Sequence, residues 1–220
     1  LVTGVAPGPV SRGDRPIRVL IAEDQVMIRQ ALATLLSLEP DIEVIAQVGE
    51  GGAVVDAARR SRPDVALLDI EMPGGDGLSA AAALREELPE VKVLILTTFG
   101  RPGYLRRAME CGALGFLLKD APAAELAAAV RRVLVGERVV DPALAAAALS
   151  EGASPLTPRE IEVLQAARNV PTVNEIAATV FLSSGTVRNH LSVIIQKLGA
   201  RNRADAVRIA TEKGWLATGG

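Results

Sequence analysis

The sequence predicts an α/β domain with a five-stranded, doubly wound parallel sheet, followed by a small all-helical domain. Three observations carry this. Short, near-continuous apolar runs alternate with amphipathic stretches through the first half of the chain. Beyond Ser154 the periodicity becomes purely helical. Four of the five apolar runs end in a charged or hydroxyl residue, as expected where a parallel sheet presents a site at the carboxyl ends of its strands.

The apolar runs predict strands over Arg18 to Ala22, Glu43 to Val48, Val65 to Leu68, Val91 to Leu96 and Leu114 to Leu118. Helices are predicted over Gln25 to Leu38, Gly52 to Arg62, Gly77 to Leu88, Pro102 to Glu110 and Pro122 to Leu134, each stopped by a Pro or Gly that follows. With right-handed crossovers this is the flavodoxin-like arrangement. An Ala-rich stretch with a short helix after Pro142 reads as a linker, 137–153. Four helices are predicted beyond it: Pro158 to Asn169, Val173 to Val180, Ser184 to Leu198 and Arg203 to Lys213. The tight connection Val180-Phe181-Leu182-Ser183 has the form of a helix-turn-helix. The division is therefore a disordered Gly- and Pro-rich tail at 1–16, an α/β domain at 17–136, the linker, and a helical domain at 154–220.

The chain of 220 residues has room for two cores, and its apolar content of 49% is aliphatic, with 2% aromatic residues. One cysteine, Cys111, excludes an internal disulfide and reads as a small core residue. No apolar run is long enough to span a bilayer or to form a secretory signal, so a cytoplasmic location without membrane insertion is expected. The net charge of −2 is unevenly spread: from Ser154 onward eight basic residues face five acidic ones, giving +3, and the rest of the chain carries −5. An acidic first domain beside a mildly basic second one suits a regulated DNA binder.

The strand-end residues are Glu23 and Asp24, Asp69, Thr97, and Lys119. Three carboxylates at the mouth of a sheet repel one another unless a cation joins them, and Mg²⁺ suits oxygen ligands beside a phosphate. Asp69 can then attack a phosphoryl donor as a carboxylate nucleophile, with Lys119 neutralising charge and Thr97 donating a hydrogen bond to the transferred oxygens.

Residues 18–132, and the segment Leu67-Leu68-Asp69-Ile70-Glu71-Met72-Pro73-Gly74-Gly75-Asp76-Gly77 above all, resemble the receiver domain of two-component systems. The resemblance implies that Asp69 is the phosphoacceptor, Asp24 a direct Mg²⁺ ligand, Glu23 a ligand through water and Glu71 a ligand through its backbone carbonyl. Thr97 and Lys119 become the switch pair. Phe116 matches the aromatic switch position, and a plain core role accounts for it equally well. Two departures stand out: Asp120 follows Lys119 where many receivers have proline, and Glu71 adds a fourth carboxyl beside Asp69.

In the second domain, Leu156-Thr157-Pro158-Arg159-Glu160 opens a helix with a Thr cap and Pro at its first position. Together with Asn174-Glu175-Ile176-Ala177 and Ser183-Ser184-Gly185-Thr186-Val187-Arg188-Asn189-His190, this stretch is similar to the LuxR-type helix-turn-helix. With the receiver it places the resemblance in the NarL/FixJ group of response regulators, nearest in appearance to DesR-type regulators. The start of the recognition helix is expected in the major groove, with Arg188 and Asn189 reading bases. Ser184, Thr186 and Lys197 are expected at phosphates. Ser192 replaces a basic residue common in the family, and the lone histidine, His190, reads as a packing or DNA-proximal residue rather than a metal ligand.

The resemblance implies a non-enzymatic transcription factor whose partners are double-stranded DNA and a sensor histidine kinase. A homodimer is expected on phosphorylation, with the regions 100–110 and 122–134 as the switch face. Two other readings fit parts of the sequence. A Mg²⁺-dependent phosphatase of the haloacid dehalogenase type also combines Asp, Thr, Lys and metal, but carries an acid/base Asp where this chain has Glu71. A DNA binder with a vestigial receiver is the third, and the intact pocket argues against it.

Overall fold

The computed structural model describes residues 15–98, 100–150 and 154–216. Most of the expected N-terminal tail and the last three residues of the expected linker lie outside them.

The strands are β1 (Ile17–Ala22), β2 (Ile42–Val48), β3 (Val65–Leu68), β4 (Lys92–Thr97), β5 (Gly115–Leu118) and β6 (Val139–Val140). All pair in parallel in the order β2-β1-β3-β4-β5-β6. The five central strands follow the flavodoxin-like order. The sixth was not expected: Val139 and Val140 pair with Gly115 and Phe116 at the sheet edge.

The near-continuous apolar strands bury both faces. Leu20, Ala22, Ala66, Leu68, Ile95 and Phe116 point into one core layer, and Val19, Ile21, Val65, Leu67, Leu94 and Leu117 into the other. The first layer is covered by α2 (Val54–Ser61), α3 (Gly77–Glu87) and α4 (Pro102–Glu110), the second by α1 (Val26–Ser37) and α5 (Ala123–Leu134). Helix ends follow local chemistry. Asp76 caps α3 by accepting from Ser79 N at 2.6 Å, Pro102 opens α4, and α2 stops at Arg62 in front of Pro63.

Part of the expected linker is built into this domain. Beyond β6, Asp141 accepts from Leu144 N at the start of α6 (Pro142–Ser150). Leu144 and the buried Ala148 of α6 join the core layer around α4, and Arg106 donates to the Ala148 carbonyl at 2.8 Å. The outer side of α4, expected to be part of a free switch face, is thus covered by α6. Apolar Ala and Leu side chains in the connector had a packing partner that periodicity alone does not name.

The second domain holds α7 (Pro158–Asn169), α8 (Val173–Thr179), α9 (Ser184–Leu198) and α10 (Arg203–Glu212) around one core containing Val163, Leu164, Ile176, Val187, Leu191, Ile194 and Ala206. Helices α7 and α8 both begin with capping boxes, Thr157 with Glu160 and Thr172 with Glu175. Ser183 caps α9 and Gly199 ends it in the left-handed conformation.

One glycine bears directly on the sheet edge. Gly77 sits at the start of α3, where a Cβ would lie 1.9 Å from the backbone carbonyl oxygen of Asp69. Gly77→Ala should therefore push α3 off the end of β3 and destabilise the first domain by about 1–3 kcal/mol, the usual cost of overpacking, read as a lower urea midpoint.

Candidate phosphoacceptor pocket and DNA-reading helix

The ends of β1, β3, β4 and β5 converge because parallel pairing brings their C-termini to one edge. Asp69 N donates to the Ala22 carbonyl at 2.9 Å, and Lys119 N to the Thr97 carbonyl at 2.9 Å, so backbone ties the end of β3 to that of β1 and the end of β5 to that of β4. A small pocket of about 140 Å³ opens there, lined by Asp24, Gln25, Asp69, Glu71, Thr97 and Thr98. Glu23, Asp69 and Thr97 are buried, whereas Asp24 is exposed.

Lys119 holds the acidic groups. Its Nζ lies 2.6 Å from Glu23 Oε2 and 2.9 Å from Asp69 Oδ2. Burial pushes the carboxyls of Glu23 and Asp69 above their ordinary range, and the bonds from Lys119 oppose this without cancelling it. Burial disfavours the lysine cation, but its two carboxylate partners prevail and its pKa is raised. Backbone N–H groups of Ile70 and Glu71 also donate to Asp69.

Oxygen atoms of Glu23, Asp24 and Asp69 all lie within 4.8 Å of one another, the only grouping of at least three such ligands among the described residues. Three carboxylates against one ammonium leave surplus negative charge, and the oxygen-only donor set suits a hard divalent cation. Glu71 lies on the pocket wall as expected, and its side chain has a further neighbour: Tyr104 Oη stands 3.5 Å from Glu71 Oε1. Phe116 is wholly buried, on the same side of the sheet as Tyr104.

In the second domain Arg188 and Asn189 are exposed on α9, as expected of base-reading residues. The periodic face continues through Ser192, Val193 and Gln196, all exposed. Val193 and Gln196 went unnoticed in the sequence although their spacing from Asn189 contains them. The two expected phosphate-binding hydroxyls already have protein partners: Ser184 donates to Asn174 Oδ1 at 2.7 Å, tying α9 to α8, and Thr186 lies 2.8 Å from the Ser183 hydroxyl.

Lys197 departs from its expected role. Its Nζ bonds both carboxylate oxygens of Glu160, at 2.7 and 2.9 Å, and so joins the end of α9 to the start of α7. Glu160 is buried and already committed to the α7 capping box, so it needs this cation, and sequence spacing gives no hint of a pairing 37 residues apart. His190 is half-buried on α9 and belongs to no grouping of metal ligands among the described residues.

Residues 19–131 match the response regulator receiver domain family, and 154–210 the luxR family of bacterial regulatory proteins. The chain belongs to the LuxR-type response regulators. It is 47% identical to the transcriptional regulatory protein DesR of Bacillus subtilis over 91% of this chain and 99% of that protein. The uncharacterized transcriptional regulatory protein YvfU of the same organism is also 47% identical, over 91% of this chain and all of its own length. Among solved structures, the response regulator ChrA of a heme-sensing two-component system is 35% identical with a TM-score of 0.55, covering 90% of this chain and 98% of that one. A receiver thus stands before a LuxR-type DNA-binding domain, as in transcription regulators of this family. No helix among the described residues is long and apolar enough to cross a membrane.

Burial raises the Glu160 carboxyl, but the bonds from Lys197 and Thr157 outweigh it and hold its pKa below the ordinary value. A carboxyl depressed in the folded state adds stability above its unfolded pKa, about 4.3, and loses it as pH falls through the lower folded value. Lys197→Met should cost about 1–3 kcal/mol at neutral pH, seen as a lower melting temperature, with the gap to wild type closing in acid. The slope of DNA affinity against salt should stay unchanged, whereas a lost phosphate contact would lower it by about one.

Proposed function

We propose that the protein is a transcription factor switched by phosphorylation of Asp69, with a sensor histidine kinase as donor and double-stranded DNA as target. The observation that carries this is the position of Asp69: a buried carboxylate on a pocket wall, bonded to Lys119 and facing Asp24 and Thr97. The backbone donors and Lys119 hold one side of the carboxylate, orienting Asp69 for attack on a phosphorus atom. The new O–P bond forms on Asp69 as the bond to the donor nitrogen breaks. Thr97 and Lys119, joined through backbone at adjacent strand ends, are placed to bond the transferred oxygens.

Glu23, Asp24, Asp69 and the Glu71 carbonyl are the residues that would hold Mg²⁺, which supplies neutralisation of the charge gathered on entering phosphate and carboxylates. Phe116 fills the core behind this edge and repacks as Thr97 moves inward.

The output is sequence-specific DNA binding through α9. Arg188 and Asn189 enter the major groove and read base edges, with the exposed face through Ser192 and Gln196 running along it. Ser184 and Thr186 remain at the N-terminus of α9, where backbone N–H groups favour a DNA phosphate. The helical domain carries a charge of only +3, so one copy binds weakly at physiological salt. Phosphorylation favours a homodimer, which presents a second reading helix at high effective concentration to a paired half-site.

With acetyl phosphate and Mg²⁺ the wild type should acquire one phosphoryl group, seen as a single mass increment, and Asp69→Asn should acquire none. Undiminished labelling of that variant would remove the assignment. Arg188→Ala should lose about 1–3 kcal/mol on its preferred site and relax selectivity at one base position, measured by competitive selection from randomised duplexes.

A further inference from the structure

Of the three clustered carboxylates, Asp24 is the one that its side chain does not anchor. Glu23 and Asp69 both bond Lys119, whereas the exposed Asp24 carboxylate makes no hydrogen bond or ion pair among the described residues. Where its oxygen atoms stand is therefore decided by the backbone of the turn that leaves β1. That turn gets no support from the cap of the helix after it. Gln25, at the N-cap of α1, makes no side-chain cap bond, and the first turn holds no acidic residue.

The turn is instead tied from three directions. Glu23 N donates to the Val48 carbonyl at the end of β2 at 3.1 Å, and Gln25 N to Glu23 Oε1 at 3.2 Å. The third tie comes from Arg29, one turn into α1, whose side chain reaches back over the start of its own helix. Its Nη1 donates to the Glu23 carbonyl at 2.5 Å and reaches the Asp24 carbonyl at 3.5 Å. Bonds from a cation to a carbonyl are stronger than those between neutral groups, so this is the firmest of the three. Gly49, just past β2, leaves room for it. A Cβ there would stand 3.0 Å from Arg29 Nη1 and 3.9 Å from the Glu23 carbonyl oxygen. Gly49 does not have a positive φ, so this glycine supplies space rather than an unusual conformation.

We propose that Arg29 is a positioning residue for the metal site: by holding the Glu23 and Asp24 carbonyls it fixes the backbone that presents the Asp24 carboxylate to Mg²⁺. This deepens the proposed function and rests on the pocket taking that ion. Mg²⁺ demands near-ideal octahedral geometry, so a ligand carried on a loose turn binds it poorly whatever its charge. Charge by itself predicts the opposite sign, since a guanidinium near a cation site repels the cation and its removal would tighten binding. Arg29 acts through Asp24, so its contribution exists only while residue 24 is a full ligand.

Titration of the full chain with Mg²⁺, followed by the amide NMR shifts of the pocket, tests this role. Arg29→Ala should weaken Mg²⁺ binding by about tenfold, the low end of what loss of a partner behind a metal ligand costs. Gly49→Ala, which alters none of the carboxylates but presses the guanidinium aside, should weaken it in the same direction. On an Asp24→Asn background, Arg29→Ala should have no further effect, because the two residues act as one unit. Unchanged or tighter binding in Arg29→Ala would overturn the positioning role, as would wild-type affinity in Gly49→Ala or a full tenfold loss on the Asp24→Asn background. A wild type whose pocket amides do not respond to Mg²⁺ would instead overturn the reading of the pocket as a metal site, and the role of Arg29 with it.

Discussion

Lys119 sits between Glu23 and Asp69 at the carboxyl edge of the sheet, and without its ammonium two buried carboxylates would face each other in a poorly solvated pocket. An uncompensated buried charge costs several kcal/mol, so the first domain can keep Asp69 ionised only while this cation stays in place. The lysine is held in turn by its backbone bond to Thr97 on the neighbouring strand. Charge balance, strand pairing and the state of the Asp69 carboxyl are therefore one constraint. Under the proposed function, a phosphoryl group on Asp69 would have to redistribute Lys119, which would make the pocket a switch rather than a static ion-pair site.

The surroundings of the pocket are packed without slack. Gly77 brings α3 against the carbonyl of Asp69, and Phe116 and Tyr104 are fully buried in the same core layer. Dense interiors do not absorb displacement gradually; elements shift between discrete arrangements. Helix α4 touches several of the other elements. It carries Tyr104 inward, Arg101 and Gly103 toward α10, and Arg106 toward α6. With α6 laid over it, α4 offers a second copy of the protein little free surface in this arrangement, so a dimer using that helix would first require α6 to leave.

The DNA-binding domain depends on a parallel economy of charge. Glu160 serves the cap of α7 and binds Lys197 from α9, which fixes the angle between the first helix and the reading helix. Lys197 thereby spends its charge on the scaffold.

The sequence by itself determined the two fold classes, the order of the five central strands and the convergence of Glu23, Asp24, Asp69, Thr97 and Lys119. Each of these follows from local rules: continuous apolar runs make buried strands, capping residues and prolines mark helix ends, and parallel pairing brings strand termini to one edge. Arg188 and Asn189 were singled out by the resemblance to the LuxR-type helix-turn-helix, and the structure leaves both exposed on α9. What only the tertiary structure decided involves partners far apart in the chain. These are the added strand at Val139, the packing of α6 on α4, the pairing of Lys197 with Glu160, and the series from Glu71 through Tyr104 and Arg101 to Thr211. A lysine's periodicity is the same whether it meets a phosphate or a carboxylate, and a tyrosine's is the same whether or not its hydroxyl reaches a carboxylate. Only the position in space of residues far away in the chain distinguishes them.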